Sequence, residues 1–455
     1  MTQAVHKYDP IEGKVSPVFW HYAIPEIFGL FAMSSASLVD SIFLGNFVGP
    51  KALATVNLSI PAMTLFFALA MLISVGGSVV GGKYVGEKRP NMANSVFTTT
   101  VMVGLFIAFL LMFFGLVFLD ELVVALGATD PELAQMLKVY LGIIFWATPF
   151  YLIEIVGFYF VRLSGRPILA SGAFIVGAVV NIGLDYLFIV EFNWGVAGAA
   201  YATLISAGTT CLILAPAFFT KNAKLRLSKP MTDVKELLKA YFNGISEFAN
   251  EASIGITALI FNWVMITRIG MEGVAALTIL NNIWMLGVYV SIGMCDSLQP
   301  IISQNYGARN HERIVEFLKI AVYAVLGVGV VMIIAMIGFP DILIDVFLEE
   351  GEEKTKSIAA QFMMYVWPAF LFIGLNILLS TYFTSMHKPM PSMYIAFSRS
   401  FILPVAALTI LPIWLGNVGI FIALPIAEAG TFFMALYFYM KRKPQDIIER
   451  ETAAK

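Results

Sequence analysis

Twelve apolar runs separated by short polar turns leave this chain few ways to fold. They fall at about 19–47, 53–82, 95–119, 136–161, 168–190 and 195–219, and resume at about 243–267, 274–302, 314–339, 358–385, 390–414 and 417–440. A helix needs about 20 apolar residues to cross a hydrocarbon core of roughly 30 Å. Inside lipid the backbone must satisfy its own polar groups, so runs of this length are expected to be spanning helices. Hydrophobic residues make up 59% of the chain and charged ones 13%, against roughly 45–50% and 25% in soluble domains. The net charge is -2 and no basic tract is present, which excludes a nucleic-acid partner. Cys211 and Cys295 both lie in apolar runs and read as buried thiols, not as a disulfide. The first twenty residues are polar and a full-length span follows, so no cleavable signal peptide is expected.

An even number of spans puts both termini on one side, and the loop charges choose that side. Lys7, Lys14, Lys83, Lys88, Arg89, Arg162 and Arg166 fall on it, as do the stretch from Lys221 to Lys239, Arg309, Arg313, Lys388 and the tail from Lys441 to Lys443. The alternate loops hold fewer cations beside Asp120, Glu121, Asp130, Glu132 and the run from Glu349 to Glu353. By the positive-inside rule both termini are cytoplasmic, in a multi-pass protein of the cell's inner membrane. The expected domains are an arm over 1–18, an N-lobe over 19–220, a cytoplasmic hinge over 221–242, a C-lobe over 243–440 and a tail over 441–455.

The halves on either side of the hinge repeat. A shift of about 221 residues lays Ile24-Pro25-Glu26 on Ile245-Ser246-Glu247, Gly49 on Gly270, and Gly86-Glu87-Lys88 on Gly307-Ala308-Arg309. A shift one longer matches Arg166-Pro167 to Lys388-Pro389. Six spans per half give both halves the same orientation. The expected fold is therefore all-α, with twelve transmembrane helices in two parallel-repeat six-helix bundles around a central cleft.

Charges inside apolar runs cost at least a few kcal/mol, so they mark working groups. Asp40 stands well inside the first run, and Pro25 adds a kink by removing one backbone hydrogen bond. Asn181 and Asp185 stand four apart, on one face of the fifth span. Burial favours the neutral form of a carboxyl and a second acid favours it further, so Asp40 facing Asp185 would suit a proton switch. Glu26 precedes Asp40 by 14 residues, roughly 21 Å along a helix. It reads either as a gate or relay on the cytoplasmic side or as a solvated vestibule residue. In the second half Glu247 and Glu251 share a face and Asp296 precedes Gln299-Pro300; these acids form either a second cation site or a counter-charge for the cargo. Phe261 and Ala407 stand where Asp40 and Asp185 would repeat, so the coupling chemistry is placed in the first half. Arg399 and Glu428 read as a structural pair, and Glu154 is ambiguous. The abundant Phe and Met face lipid and pack helices, and those lining the cleft suit varied apolar cations.

No enzyme constellation is present. His6, His21, His311 and His387 lack metal-ligand spacing, and neither a Gly-x-Ser-x-Gly elbow nor a phosphate loop occurs. No cofactor is expected, and without a nucleotide site the energy source is an ion gradient.

Over essentially its whole length the chain resembles the multidrug and toxic compound extrusion (MATE) family. The resemblance is carried by the six-plus-six organisation, Asp40, the turn from Gly49 to Ala54, Gln299-Pro300 with Asn305-Tyr306-Gly307-Ala308, and the run from Gly195 to Ala200. Asn181 and Asp185 are similar to the DinF-like branch. The resemblance implies a coupling cluster of Asp40, Asn181 and Asp185, with Tyr140 and Thr203 as hydrogen-bonding neighbours and Pro25 as the bending point. It further implies that protonation of Asp40 bends the first helix and expels cargo. NorM-like members use an acidic C-lobe site. Glu251 falls near it, but Trp367-Pro368 and Asn376 stand where its acidic partner would be.

The expected function is a proton- or sodium-coupled antiporter that exports lipophilic, often cationic compounds by alternating access, working as a monomer in the lipid bilayer. Sodium, if it is the coupling ion, would sit at Asp40, Asn181 and Asp185. The alternatives are a flippase for lipid-linked precursors, an integral-membrane enzyme and a channel. Pyrophosphate cargo favours a basic cleft, whereas the intramembrane charges here are nearly all acidic. An enzyme lacks its catalytic set, and a two-lobe repeat tells against a channel.

Overall fold

The computed structural model describes residues 7–220, 223–231, 233–347 and 352–453. His6, Lys221, Glu349 and Glu350 lie outside the described residues. Twelve helices among the described residues are long and apolar enough to cross a membrane. In the first half these are α1 (Val15–Val48), α2 (Pro50–Gly86), α3 (Pro90–Val117), α4 (Pro131–Leu163), α5 (Pro167–Glu191) and α6 (Gly195–Phe219). The second half holds α7 (Ile245–Arg268), α8 (Met271–Gly307), α9 (His311–Gly338), α10 (Glu353–Ser385), α11 (Pro389–Leu415) and α12 (Ala423–Lys441). Large apolar side chains such as Leu212, Leu259 and Trp414 are exposed, the last at 82%. A surface of that kind is stable only against lipid or another apolar partner. This is a multi-pass membrane protein.

The repeat is visible in the backbone. Left-handed φ angles recur in pairs about 221 residues apart, at Gly49 and Gly270 (112° and 99°) and at Lys88 and Arg309 (58° and 60°). Gly165 and His387 (85° and 55°) and Gly195 and Gly416 (57° and 58°) do the same. Left-handed conformation costs a residue with a side chain about 1 kcal/mol or more. Its recurrence at Lys88, Arg309 and His387 shows that turn geometry, not residue type alone, is repeated.

The chain divides into two compact units, 24–244 and 245–455, the latter joined by residues 7–23. The expected N-terminal arm is thus no free tail, because it packs with the second half. Asn305 donates to the Pro10 carbonyl at 3.0 Å, and Arg313 donates to the carbonyls of Pro10 (2.7 Å) and Gly13. Tyr8 stacks on His21 at 4.1 Å between ring centroids. The buried Asn305 of the Asn-Tyr-Gly-Ala motif is therefore a clasp for the arm. The change of unit falls between Ala23 and Ile24, one residue before Pro25.

The expected hinge is also partly structured. The backbone N–H groups of Arg226, Ser228 and Met231 donate to side chains of Asn94, Thr98 and Thr99 on α3, at 2.7–2.9 Å. Asn94 and Thr98 stand four apart, so one helical face offers acceptors to the passing segment. The helix Val234–Asn243 follows, capped by Asp233, and it crosses α2 at two glycines. A Cβ on Gly76 would strike the Ala240 carbonyl, and one on Gly244 would strike the Leu72 carbonyl. Because backbone cannot swing aside, Gly244→Ala is expected to cost about 1–3 kcal/mol or more. A fall in melting temperature of the purified protein checks this, and an unchanged value would contradict the close crossing.

Within unit 24–244 the apolar core has two parts. One gathers Leu44, Ala52, Leu137, Phe145, Ile189 and Val196, and the other gathers Val75, Phe97, Leu152, Phe160, Ala173 and Phe218. Along α4 the change from one to the other falls between Phe145 and Leu152, level with Tyr151 and Glu154. The cysteines form no disulfide. Cys295 is buried beside the Gly374 carbonyl, whereas Cys211 is partly exposed, contrary to expectation, with its thiol on the Phe150 carbonyl.

Candidate functional site

Four helices of unit 24–244 surround a cavity of ≈ 130 Å³. Helix α1 contributes Met33, Ala36, Ser37 and Asp40, whose spacing of three and four keeps them on one face. Helix α5 contributes Phe174, Gly177, Ala178 and Asn181, helix α6 Thr203, Ser206 and Thr210, and helix α4 Tyr151 and Glu154. Thr203, Ser206 and Thr210 each return their hydroxyl to a carbonyl of their own helix, at 2.9–3.1 Å. The wall from α6 is thereby polar yet internally satisfied.

Asp185 and Asn181 both face Asp40. Tyr140, itself buried, lies beside both carboxylates with Ser59 as its neighbour. Asp185 is 0% exposed, and neither of its carboxylate oxygens, nor Oδ1 of Asp40, has a hydrogen-bond partner. Buried oxygens of this kind call for a proton or a cation. The backbone widens next to each acid. A π turn runs over Leu44–Val48, just beyond Asp40, and another over Tyr186–Glu191, directly after Asp185. Such turns relax the regular helical ladder and are frequent at functional sites. The structure thus brings Asp40, Asn181, Asp185 and Tyr140 together, with Thr203 on the wall of the adjoining cavity.

Glu26 does not join this cluster. It forms an ion pair with Arg162 of α4 at 2.9 Å, with the two side chains 2% and 1% exposed. The guanidinium also lies over Phe158 (5.1 Å) and Tyr159 (5.3 Å). Glu26 is therefore not a solvated vestibule residue, and Arg162 is not a loop charge. A carboxylate and a guanidinium on neighbouring helices can enter an apolar core only as partners, since either alone costs several kcal/mol.

In the other unit Glu247 and Glu251 lie near each other and near Asp296. Arg399 faces Glu251 and donates from Nε to Glu428 at 3.1 Å. Asn376 donates to the Glu428 carboxylate at 2.7 Å and to its carbonyl at 2.8 Å. Arg399 and Glu428 thus form an ion pair, with Asn376 as a third member 52 residues before Glu428. The sequence suggests the pairing of Arg399 with Glu428, but nothing local in it marks Asn376 as the third member. Tyr151, Ser206 and Thr210 were likewise not singled out, because an aromatic residue and two hydroxyls in apolar spans have many ordinary roles. Among the described residues no three His, Cys, Asp or Glu side chains converge as a metal centre requires.

Twelve spans in two repeated units are an architecture found among membrane transporters. The MatE family profile matches residues 25–187 and 253–409. The chain belongs to the MatE family, whose members are transporters and not enzymes. It is 25% identical over 331 residues to the multidrug export protein MepA of Staphylococcus aureus (strain MSSA476), covering 71% of each chain. A crystal structure of a MATE in complex with MaL6 superposes with a TM-score of 0.89 at 22% identity, covering 98% of both chains. One of a MATE in the bent conformation gives 0.88 at 23%, covering 99% of both.

Proposed function

We propose that this protein is a multidrug efflux antiporter that exchanges lipophilic, often cationic compounds for protons or sodium ions, as a DinF-like member of its family. It works as a monomer in the inner membrane with both termini in the cytoplasm, where the basic loops face. One observation carries the coupling role: Asp40 faces both Asp185 and Asn181, and Oδ1 of Asp40 and both carboxylate oxygens of Asp185 are buried with no other hydrogen-bond partner. An ion arriving between two such carboxylates relieves a large desolvation cost, and its departure restores it. That difference is what a gradient can use to bias two conformations. A proton would sit on one carboxyl, or sodium between both with the Asn181 amide oxygen; Tyr140 shields the pair, and Thr203 lies on the side where cargo would enter. Pro25 suits a bending point, since α1 changes unit one residue before it and its missing N–H weakens the ladder there. The acids Glu247, Glu251 and Asp296 remain secondary candidates for a cation.

Ethidium efflux from proteoliposomes tests the reading, with proton and sodium gradients imposed separately. Uphill efflux driven by one of them is expected, and the effective gradient names the ion. Failure of both gradients to move the dye would remove the proposal.

A further inference from the structure

We propose that Glu154 is the cargo-binding acid of this protein and receives the ammonium head group of the exported compound. The inference rests on the efflux reading above. Glu154 lies on α4, is only 6% exposed and lines the same cavity as Asp40 and Asn181. Its neighbours are the Thr210 hydroxyl, Tyr151 and Cys211. Among the described residues no Lys, Arg or His pairs with it, in contrast to Glu26 and Glu428, each of which has a guanidinium. A carboxylate removed from water without a cation of its own is costly unless something charged or a proton comes to it.

The other cavity acid is differently placed. Asp40 has Asp185 opposite it, a pair suited to an ion, whereas Glu154 stands alone on the wall with aromatic rings near by. Tyr151 adjoins it, and Phe174 lines the same cavity. A carboxylate in a cavity that also carries aromatic side chains is chemistry suited to an organic ammonium, through charge and through the ring quadrupoles. Size narrows the class. The cavity of ≈ 130 Å³ is near the roughly 150 Å³ that accommodates one benzene molecule. It therefore has room for a trimethylammonium-sized head, with the rest of a larger cargo lying beyond it. The preferred cargo is an amphipathic ammonium with a compact cationic head.

The test is equilibrium binding to the purified full-length protein in phosphatidylcholine nanodiscs, without any gradient. The probes are (3-hydroxyphenyl)trimethylammonium and its neutral carbon isostere 3-tert-butylphenol. Glu154→Gln is expected to weaken binding of the cation at least about tenfold, as loss of a charged partner does, and to leave the isostere within about twofold. Glu154→Asp, which keeps the charge, is expected to retain the preference for the cation. Equal losses for both probes would assign Glu154 a packing role and overturn the inference, as would unchanged cation binding in the Gln variant. The two readings fail separately. Wild type that binds the cation but moves neither it nor ethidium under either gradient overturns the antiporter and leaves the site. Coupled efflux with no cation preference in wild type overturns the site and leaves the antiporter.

Discussion

Asp185→Asn is expected to reduce gradient-driven efflux to the passive leak without lowering the melting temperature. Asp185 is fully buried, with both carboxylate oxygens unpartnered and a second acid, Asp40, facing it. Burying an ion costs several kcal/mol even after relaxation, whereas an unsatisfied buried amide costs about 1–3 kcal/mol. The neutral isostere therefore costs the fold no more than the acid does and removes the group whose occupancy a gradient would control. Efflux under the effective gradient is expected to fall by at least about two orders of magnitude, since a transporter with no occupancy difference between states has nothing to bias it. Asp40→Asn is expected to behave in the same way. Efflux from proteoliposomes and thermal unfolding in detergent check both halves. Coupled efflux that survives in Asp185→Asn removes this residue from the coupling site. Lost efflux with a lower melting temperature contradicts the energetic argument.

Arg162→Met is expected to be among the most destabilising single changes in the chain. It leaves Glu26, 2% exposed, as an uncompensated charge in an apolar core, at a cost of about 3–5 kcal/mol. Removing both members, as Glu26→Met with Arg162→Met, is expected to recover much of that loss, because well-packed apolar side chains often replace a buried pair without penalty. Melting temperatures of wild type, both single variants and the double variant form the cycle that isolates the pair. If the double variant is as unstable as the sum of the singles, the two groups are not coupled. Because Glu26 is adjacent to Pro25, the pair also ties this part of α1 to α4. Weakening it is therefore expected to change efflux only in step with stability.

Much of the architecture is local information. Spanning helices follow from run length against bilayer thickness, and they start at or near Pro50, Pro90, Pro131, Pro167 and Pro389, where proline suits a first helical turn. The repeat was visible because turns need particular backbone conformations, which Gly49 and Gly270 supply. Asp40 and Asp185 stood out because a carboxylate inside an apolar run has few innocent explanations. The same rule led to Glu26, yet it carries no information about the partner. Arg162 looked like a turn residue at the end of a span, and only packing shows that its long side chain turns back into the core.

The amino-acid sequence by itself determined the helices, their number, the twofold repeat and the short set of acids that matter, since each depends on length, period or the cost of burying a charge. The tertiary structure alone decided that Glu26 meets Arg162, that Asn376 joins Arg399 and Glu428, and that Glu154 faces a cavity without a cation of its own. It also decided that residues 7–23 join the second half and that residues 226–231 are stapled to α3. The physical reason is common to all of these. Helix formation is settled within a few turns of chain. The pairing of Glu26 with Arg162, or of Asn376 with Glu428, depends on helices far apart in sequence presenting complementary groups at the same depth.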